Sequence, residues 1–221
     1  MQRHFDKDLS HLKEMLLEMG GQVEDVILRS TRALLERDSD LARQIIVDDD
    51  IIDRKELEID ETIVGILSRM APVASDLRLI MAISRITPEL ERIADLCQDV
   101  AERALELNRE PPLKPMIDIQ RMAQVANEML KASLDAFVRN DTALAQSTIV
   151  RDDEVDALME SAFRELLTYM MENPKNISRA IRLTFIAKYF ERIADSATNI
   201  CEQVVYEIEG RVLKHSEKPS A

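Results

Sequence analysis

Glycine and proline are scarce in this chain of 221 residues, which has four of one and seven of the other. Tryptophan is absent, and tyrosine and phenylalanine together number eight. Sheets favour aromatic and β-branched residues and need turn residues between strands. A composition poor in these and rich in Leu, Ala, Glu, Arg and Met excludes a β-rich fold and predicts an all-α one. Two cysteines, Cys97 and Cys201, are too few for a disulfide scaffold. Apolar runs such as Leu79–Ile83 fall far short of the ~20 residues that a spanning helix needs. Met1 to Leu12 carries His4, Asp6, Lys7 and Asp8 and no apolar stretch of the signal-peptide kind. The expectation is a soluble, cytoplasmic protein with reduced thiols. Basic residues are in deficit, 29 Lys and Arg against 42 Asp and Glu, for a net charge of −13. That balance argues against nucleic-acid or anionic-membrane binding, both of which need a dense basic surface.

What is present is helical periodicity. Phe5, Leu9, Leu12, Leu16, Met19, Val23 and Val26 step by four and three, a seam suited to shallow helix crossing. Gly20-Gly21 interrupts it, which predicts a closely approaching neighbour backbone or a kink. Asp38-Ser39-Asp40 supplies caps for a second helix reaching Met70, before Pro72. A third starts near Ser75-Asp76, with the seam Leu79, Ile83, Ile86, Leu90, Ile93, Cys97, Val100 and Ala104, and ends before Pro111-Pro112. Pro88 lies inside it and predicts a kink there. A fourth helix spans about Met116 to Arg139. Asn140-Asp141-Thr142 caps a fifth that stops at Asn173-Pro174, and a sixth runs from Ile177 to Glu209 with Gly210 as its terminator. Residues 1–110 then form one three-helix unit, 111–115 a linker, 116–213 a second unit and 214–221 a polar tail. Met15, Met19, Met122 and Met129 read as core filler, as do both cysteines. His4, His11 and His215 read as surface residues.

The second half repeats the first. Asp38-Ser39-Asp40-Leu41-Ala42 corresponds to Asp141-Thr142-Ala143-Leu144-Ala145 at an offset of 103, which also carries Asp49, Asp50 and Asp53 onto Asp152, Asp153 and Asp156. Glu91-Arg92-Ile93-Ala94-Asp95 recurs identically as Glu191-Arg192-Ile193-Ala194-Asp195 at an offset of 100. This is an internal duplication of a three-helix unit.

Acids occupy positions that the periodicity assigns to the core. The second helix reads Ile45, Asp49, Ile52, Glu56, Ile59, Ile63, Ile66, Met70, with Asp53 and Asp60 one turn beyond the two acids. The fifth reads Ala145, Ile149, Asp152, Asp156, Met159, Phe163, Leu166, Met170. The third stacks Glu91, Asp95 and Asp99, and the sixth stacks Glu191, Asp195 and Asn199, each column bordering its seam. Acids four apart on a helix repel by a few tenths of a kcal/mol, and partial burial raises that cost unless they are paired or metal-bound. One such column is an ordinary solvated face; four in duplicated register call for counter-charge. Arg92 and Arg192 offer some. Hard cations such as Mg, Ca, Mn or iron offer more, and facing columns suit a multinuclear cluster.

The chain has no Glu-x-x-His pair of the di-iron type, no glycine-rich phosphate loop, and no histidine near a nucleophile in sequence. The leading reading, a metal-binding, non-enzymatic adaptor, rests on the acid columns, the duplication and the family resemblance that follows. The alternatives are a metal-dependent carboxylate-site hydrolase or oxidase, and a metal-free structural bundle held by Arg–Asp pairs.

The repeated Glu-Arg-Ile-Ala-Asp motif resembles that of the PhoU family of phosphate-transport regulators. Met19-Gly20-Gly21, Asp38–Ala42, Ala74-Ser75-Asp76-Leu77-Arg78-Leu79, Leu167-Thr168-Tyr169-Met170-Met171 and Asn199-Ile200-Cys201-Glu202 extend the resemblance over nearly the whole chain. It implies a tandem repeat of two three-helix bundles. It further implies carboxylate-held ions of the Fe, Mn, Mg or Zn kind at Glu91 and Asp95, Glu191 and Asp195, Asp49 and Asp53, and Asp152 and Asp156. Asp99, Glu56 and Asp60 match by type, and Asn199 replaces an acid. The implied role is negative regulation of the phosphate-starvation response by a homodimer. The implied partners are the transporter's ATPase subunit and a sensor histidine kinase.

Overall fold

The computed structural model describes residues 2–48 and 50–212, with side chains from Phe5 onward. Asp49, His4's side chain, His215 and the 214–221 tail therefore lie outside what is described. The described residues form helices and connecting turns, with no strand. They are α1 (Gln2–Leu35), α2 (Ser39–Asp48), α3 (Asp50–Arg69), α4 (Ala74–Leu107), α5 (Ile117–Arg139), α6 (Thr142–Val150), α7 (Asp152–Glu172) and α8 (Ile177–Glu209), with a single 3₁₀ turn at Pro174–Asn176. The fold is all-α, two three-helix units in tandem, each with its middle helix in two pieces.

The divided middle helix corrects the expectation of one continuous rod. Arg151 N–H donates to the Thr148 carbonyl at 3.0 Å, and Glu154 N–H donates to the Arg151 carbonyl at 3.0 Å. Helical bonding is thus reset at Arg151. Asp152, Asp153 and Glu154 fill the first turn of α7, as Asp50 and Asp53 fill that of α3. Acids there complement the positive end of the helix dipole. The reset also moves the buried stripe of α7. Val155, Ala162 and Leu166 are buried, whereas Phe163, expected on the seam, is 44% exposed. The expected caps form: Asp38 Oδ1 accepts from Asp40 N–H and Leu41 N–H, and Asp141 Oδ1 from Leu144 N–H. Gly210 ends α8 at a φ of 68°.

α4 and α8 lie side by side at the centre and run antiparallel. At one end the Arg78 Nε–H donates to the Glu207 carbonyl at 3.0 Å; at the other Arg182 Nε meets Glu106 Oε2 at 2.6 Å. Arg103 Nη1 holds the second oxygen of Glu106 at 2.7 Å. The Arg182 bond, with help from Arg103, keeps the Glu106 carboxyl below its ordinary range. Around these two helices one apolar core runs through both halves, from Leu12 and Leu16 through Ile86 and Ile93 to Phe137, Phe190 and Val204. Met19, Met122, Met129, Cys97 and Cys201 are all fully enclosed in it, and burial pushes the Cys201 thiol up to about 12. The Pro-rich connection is docked as well: Lys114 is buried and pairs with Glu165.

The adjacent glycines of α1 differ. A Cβ on Gly20 would lie 2.6 Å from Leu134 Cδ1 of α5, whereas one on Gly21 would meet nothing within 4 Å. The neighbour that Gly20 admits is therefore a side chain, not a backbone. Gly21→Ala is expected to stabilise the protein by about 0.5–1 kcal/mol through helix propensity. Gly20→Ala gains the same propensity but forces a packed leucine to move, at about 1–3 kcal/mol, and is expected to be neutral or destabilising. Thermal melts of the two variants check the contrast.

Candidate metal centre

α3 lays its first turns against the middle of α4, so the acids of the two helices meet. Ligand oxygens of Asp53, Glu91 and Asp95 all lie within 4.8 Å of one another. Glu56, Asp60 and Asp99 surround them. Burial pushes the Glu56 carboxyl above its ordinary 4.5, and Asp60, Asp53 and Asp95 push it further. Burial, then Asp53 and Asp99, raise Asp95 above its ordinary 3.8, while a hydrogen bond with Glu91 draws it part of the way back. Among the described residues no lysine or arginine forms an ion pair with Asp53, Glu56, Asp60, Asp95 or Asp99. The salt-bridge lattice considered from sequence therefore does not reach these five acids among the described residues. Three converging carboxylates in a set that is all oxygen fit a hard cation such as Mg²⁺, Mn²⁺ or an iron ion. They fit Zn²⁺ less well, because it takes nitrogen and sulfur readily.

The second half keeps the motif but carries fewer acids around it. At the duplication offsets Glu56 becomes Met159, Asp60 becomes Phe163, Asp99 becomes Asn199, and Pro88 becomes Lys188. Lys188 Nζ sits 2.5 Å from Glu191 Oε1, so a cation from the same helix meets one oxygen of this acid, while Oε2 is buried with no hydrogen-bond partner. Asn199 turns toward α4, where its Nδ2 donates to Glu89 Oε1 at 3.1 Å. Asp195 lines a pocket between α4 and α8 instead of joining a group of three ligands. Asp152 is half-buried and Asp156 is exposed. Among the described residues, Asp53, Glu91 and Asp95 form the one group of three acids with ligand spacing. The sequence-predicted residues thus fall into a first-half cluster and a second-half set that does not converge in the same way.

Lys188 and Glu89 were not singled out in the sequence. The spacing of Lys188 and Glu191, three apart on one helix, was the available signal for the first. Nothing in the sequence signals a contact from Glu89 on α4 to a residue 110 positions away.

The chain resembles known proteins over almost its full length. A model of the PhoU domain matches twice, at residues 16–104 and 119–204. The phosphate-specific transport system accessory protein PhoU homolog of Aquifex aeolicus is 41% identical and aligns over 95% of either chain. The homolog from Pseudomonas aeruginosa is 40% identical over 96% of this chain and 88% of its own. A crystal structure of PhoU from Pseudomonas aeruginosa superposes with a TM-score of 0.90 at 41% identity, covering 94% of this chain and 100% of that one. The phosphate transport system regulatory protein PhoU from Streptococcus pneumoniae gives 0.89 at 27% identity, covering 95% and 99%.

Proposed function

Since the chain belongs to the PhoU family, we propose that it is a regulatory accessory protein of a phosphate transport system and acts as a metal-binding adaptor without catalytic activity. In this reading it works in the cytoplasm as a homodimer. It links the transporter's ATPase subunit to a sensor histidine kinase, restrains phosphate uptake and keeps the starvation response off. Family membership over both halves carries the regulatory part. The convergence of Asp53, Glu91 and Asp95 supports the metal part. No helix of the described residues is long and apolar enough to cross a membrane, which agrees with an adaptor that meets membrane proteins from outside the bilayer. The net charge of −13 suits docking on basic patches and steers encounter with them.

Asp53 of α3 and Glu91 and Asp95 of α4 would hold the ion, with Glu56, Asp60 and Asp99 close by. A bound cation would place positive charge between the acids of α3 and α4 and so clamp the two helices together. Without it their repulsion works against that contact. The metal state therefore sets how firmly the outer helix pair is held, which is a property that partners can sense.

Capture of the transporter ATPase and of the kinase's cytoplasmic region on the immobilised full chain tests this reading. Chelation, or Asp53→Ala with Glu91→Ala and Asp95→Ala, is expected to weaken capture by ~10-fold, about 1.4 kcal/mol. Unchanged capture and unchanged repression in the triple variant would remove the metal from the mechanism. Failure of the unaltered protein to capture either partner would overturn the adaptor.

A further inference from the structure

The two arginines of the repeated Glu-Arg-Ile-Ala-Asp motif come together. Arg92 of α4 and Arg192 of α8 line one pocket of about 210 Å³, together with Asp195, Ser196 and Asn199. In a chain of net charge −13, two guanidinium groups sharing one small polar pocket require a reason. Neither arginine forms an ion pair with another described residue. A second feature points the same way. Ser196 is 1% exposed, and its Oγ has no hydrogen-bond partner. Its counterpart in the first repeat is Leu96, buried in the apolar core. A hydroxyl placed where the duplication has a leucine, and left unsatisfied, is a donor waiting for an acceptor.

We propose that this pocket binds a protonated tetrahedral oxyanion, free inorganic phosphate, between the two repeats. Arginine forks match phosphate oxygens two at a time, and Ser196 Oγ supplies a further donor from the pocket wall. Asp195 gives the site its selectivity. Phosphate at neutral pH keeps a P–OH group that donates to a carboxylate, whereas sulfate has no proton to give and meets only repulsion. The pocket, at about 210 Å³, is large enough for the five heavy atoms of phosphate. Asn199, held by Glu89, closes one side. The site draws one arginine from each repeat, so its occupancy reports on how α4 and α8 sit against one another. It is separate from the acid cluster of Asp53, Glu91 and Asp95 and needs no metal.

Calorimetric titration of the full chain in chelator, with inorganic phosphate and with sulfate, tests the proposal. Phosphate is expected to bind, with sulfate at least ~10-fold weaker. Arg92→Gln and Arg192→Gln should each weaken phosphate by ~10-fold or more, and together abolish it. Arg92→Lys should recover part of the affinity, and Asp195→Asn should bring phosphate and sulfate close together. Arg92 is exposed, so its variants are expected to melt like the unaltered protein, and a melt on each confirms folding. No phosphate binding at millimolar concentration, equal affinity for sulfate, or indifference to both arginine variants overturns it. A phosphate ester, phenyl phosphate, that binds more tightly than inorganic phosphate would assign the pocket to a phosphorylated group and overturn the free-anion reading. Because chelator is present throughout, a negative result here leaves metal-dependent stabilisation of the acid cluster standing, and the converse also holds.

Discussion

Asp95→Asn is expected to raise the melting temperature of metal-free protein while removing the stabilisation that a divalent cation brings. Asp95 is pressed by Asp53 and Asp99 and presses Glu56 in turn. Each acid–acid repulsion at this exposure is worth a few tenths of a kcal/mol, so neutralising one partner should give ~1–3 °C. Mn²⁺ at about 100 times its dissociation constant stabilises a protein that binds it only when folded by about 2.7 kcal/mol. For a chain of this size that is ~5–10 °C, and the variant should lose most of it. Opposite signs in one substitution separate a metal ligand from a merely structural acid. Full retention of the Mn²⁺ shift in the variant would show that the ion sits elsewhere.

Acidity should move the two forms toward each other. Glu56 and Asp95 both have folded-state pKa values above their ordinary 4.5 and 3.8. The folded state therefore binds more protons than the unfolded chain in the window between those values. Stability falls as pH rises through that window, and the penalty is complete at neutrality. Lowering the pH from neutrality toward the ordinary 4.5 of a Glu carboxyl should thus begin to relieve the metal-free protein at this cluster. The same protons compete with the metal for the carboxylates. The gain from added Mn²⁺ should shrink accordingly, measured as the difference between paired melts across the series.

Phe190→Ala should cost about 3–5 kcal/mol, the usual penalty for emptying a fully enclosed aromatic site, and lower the melting temperature by ~6–20 °C. Phe190 is fully buried on α8, the helix against which both units pack. Phe185, five residues earlier on the same helix, is 50% exposed and stacks on Tyr189 at 6.4 Å. Its replacement by Ala should cost less than ~1 kcal/mol. Denaturant melts of the pair read the difference directly. The core is continuous across the duplication, so one cooperative transition is expected for the unaltered chain. Separate transitions for the two halves would contradict a shared core.

The helical class, the six-helix plan and the tandem repeat were legible in the sequence because period and punctuation are local properties. Heptad steps, Asp38 and Asp141 as caps, and Gly210 as terminator each act within a few residues. The division of the middle helices was less legible. Asp152, Asp153 and Glu154 look like seam acids when a continuous helix is assumed, and like a new first turn once Arg151 is seen to reset the bonding. That shift turned Phe163 outward and Ala162 inward.

The acids of the candidate metal centre were named by sequence; their association was not. Spacing put Glu91 and Asp95 on one face of one helix, since i and i+4 share a face of any α-helix. It could not say that Asp53 on another helix would meet them, nor that the duplicated acids Glu191 and Asp195 would instead meet Lys188 and line an arginine pocket. Two identical five-residue motifs therefore acquired different surroundings. A helix face is fixed by its own residues through local geometry. What stands opposite that face depends on how distant helices cross, and that is settled by packing over the whole core.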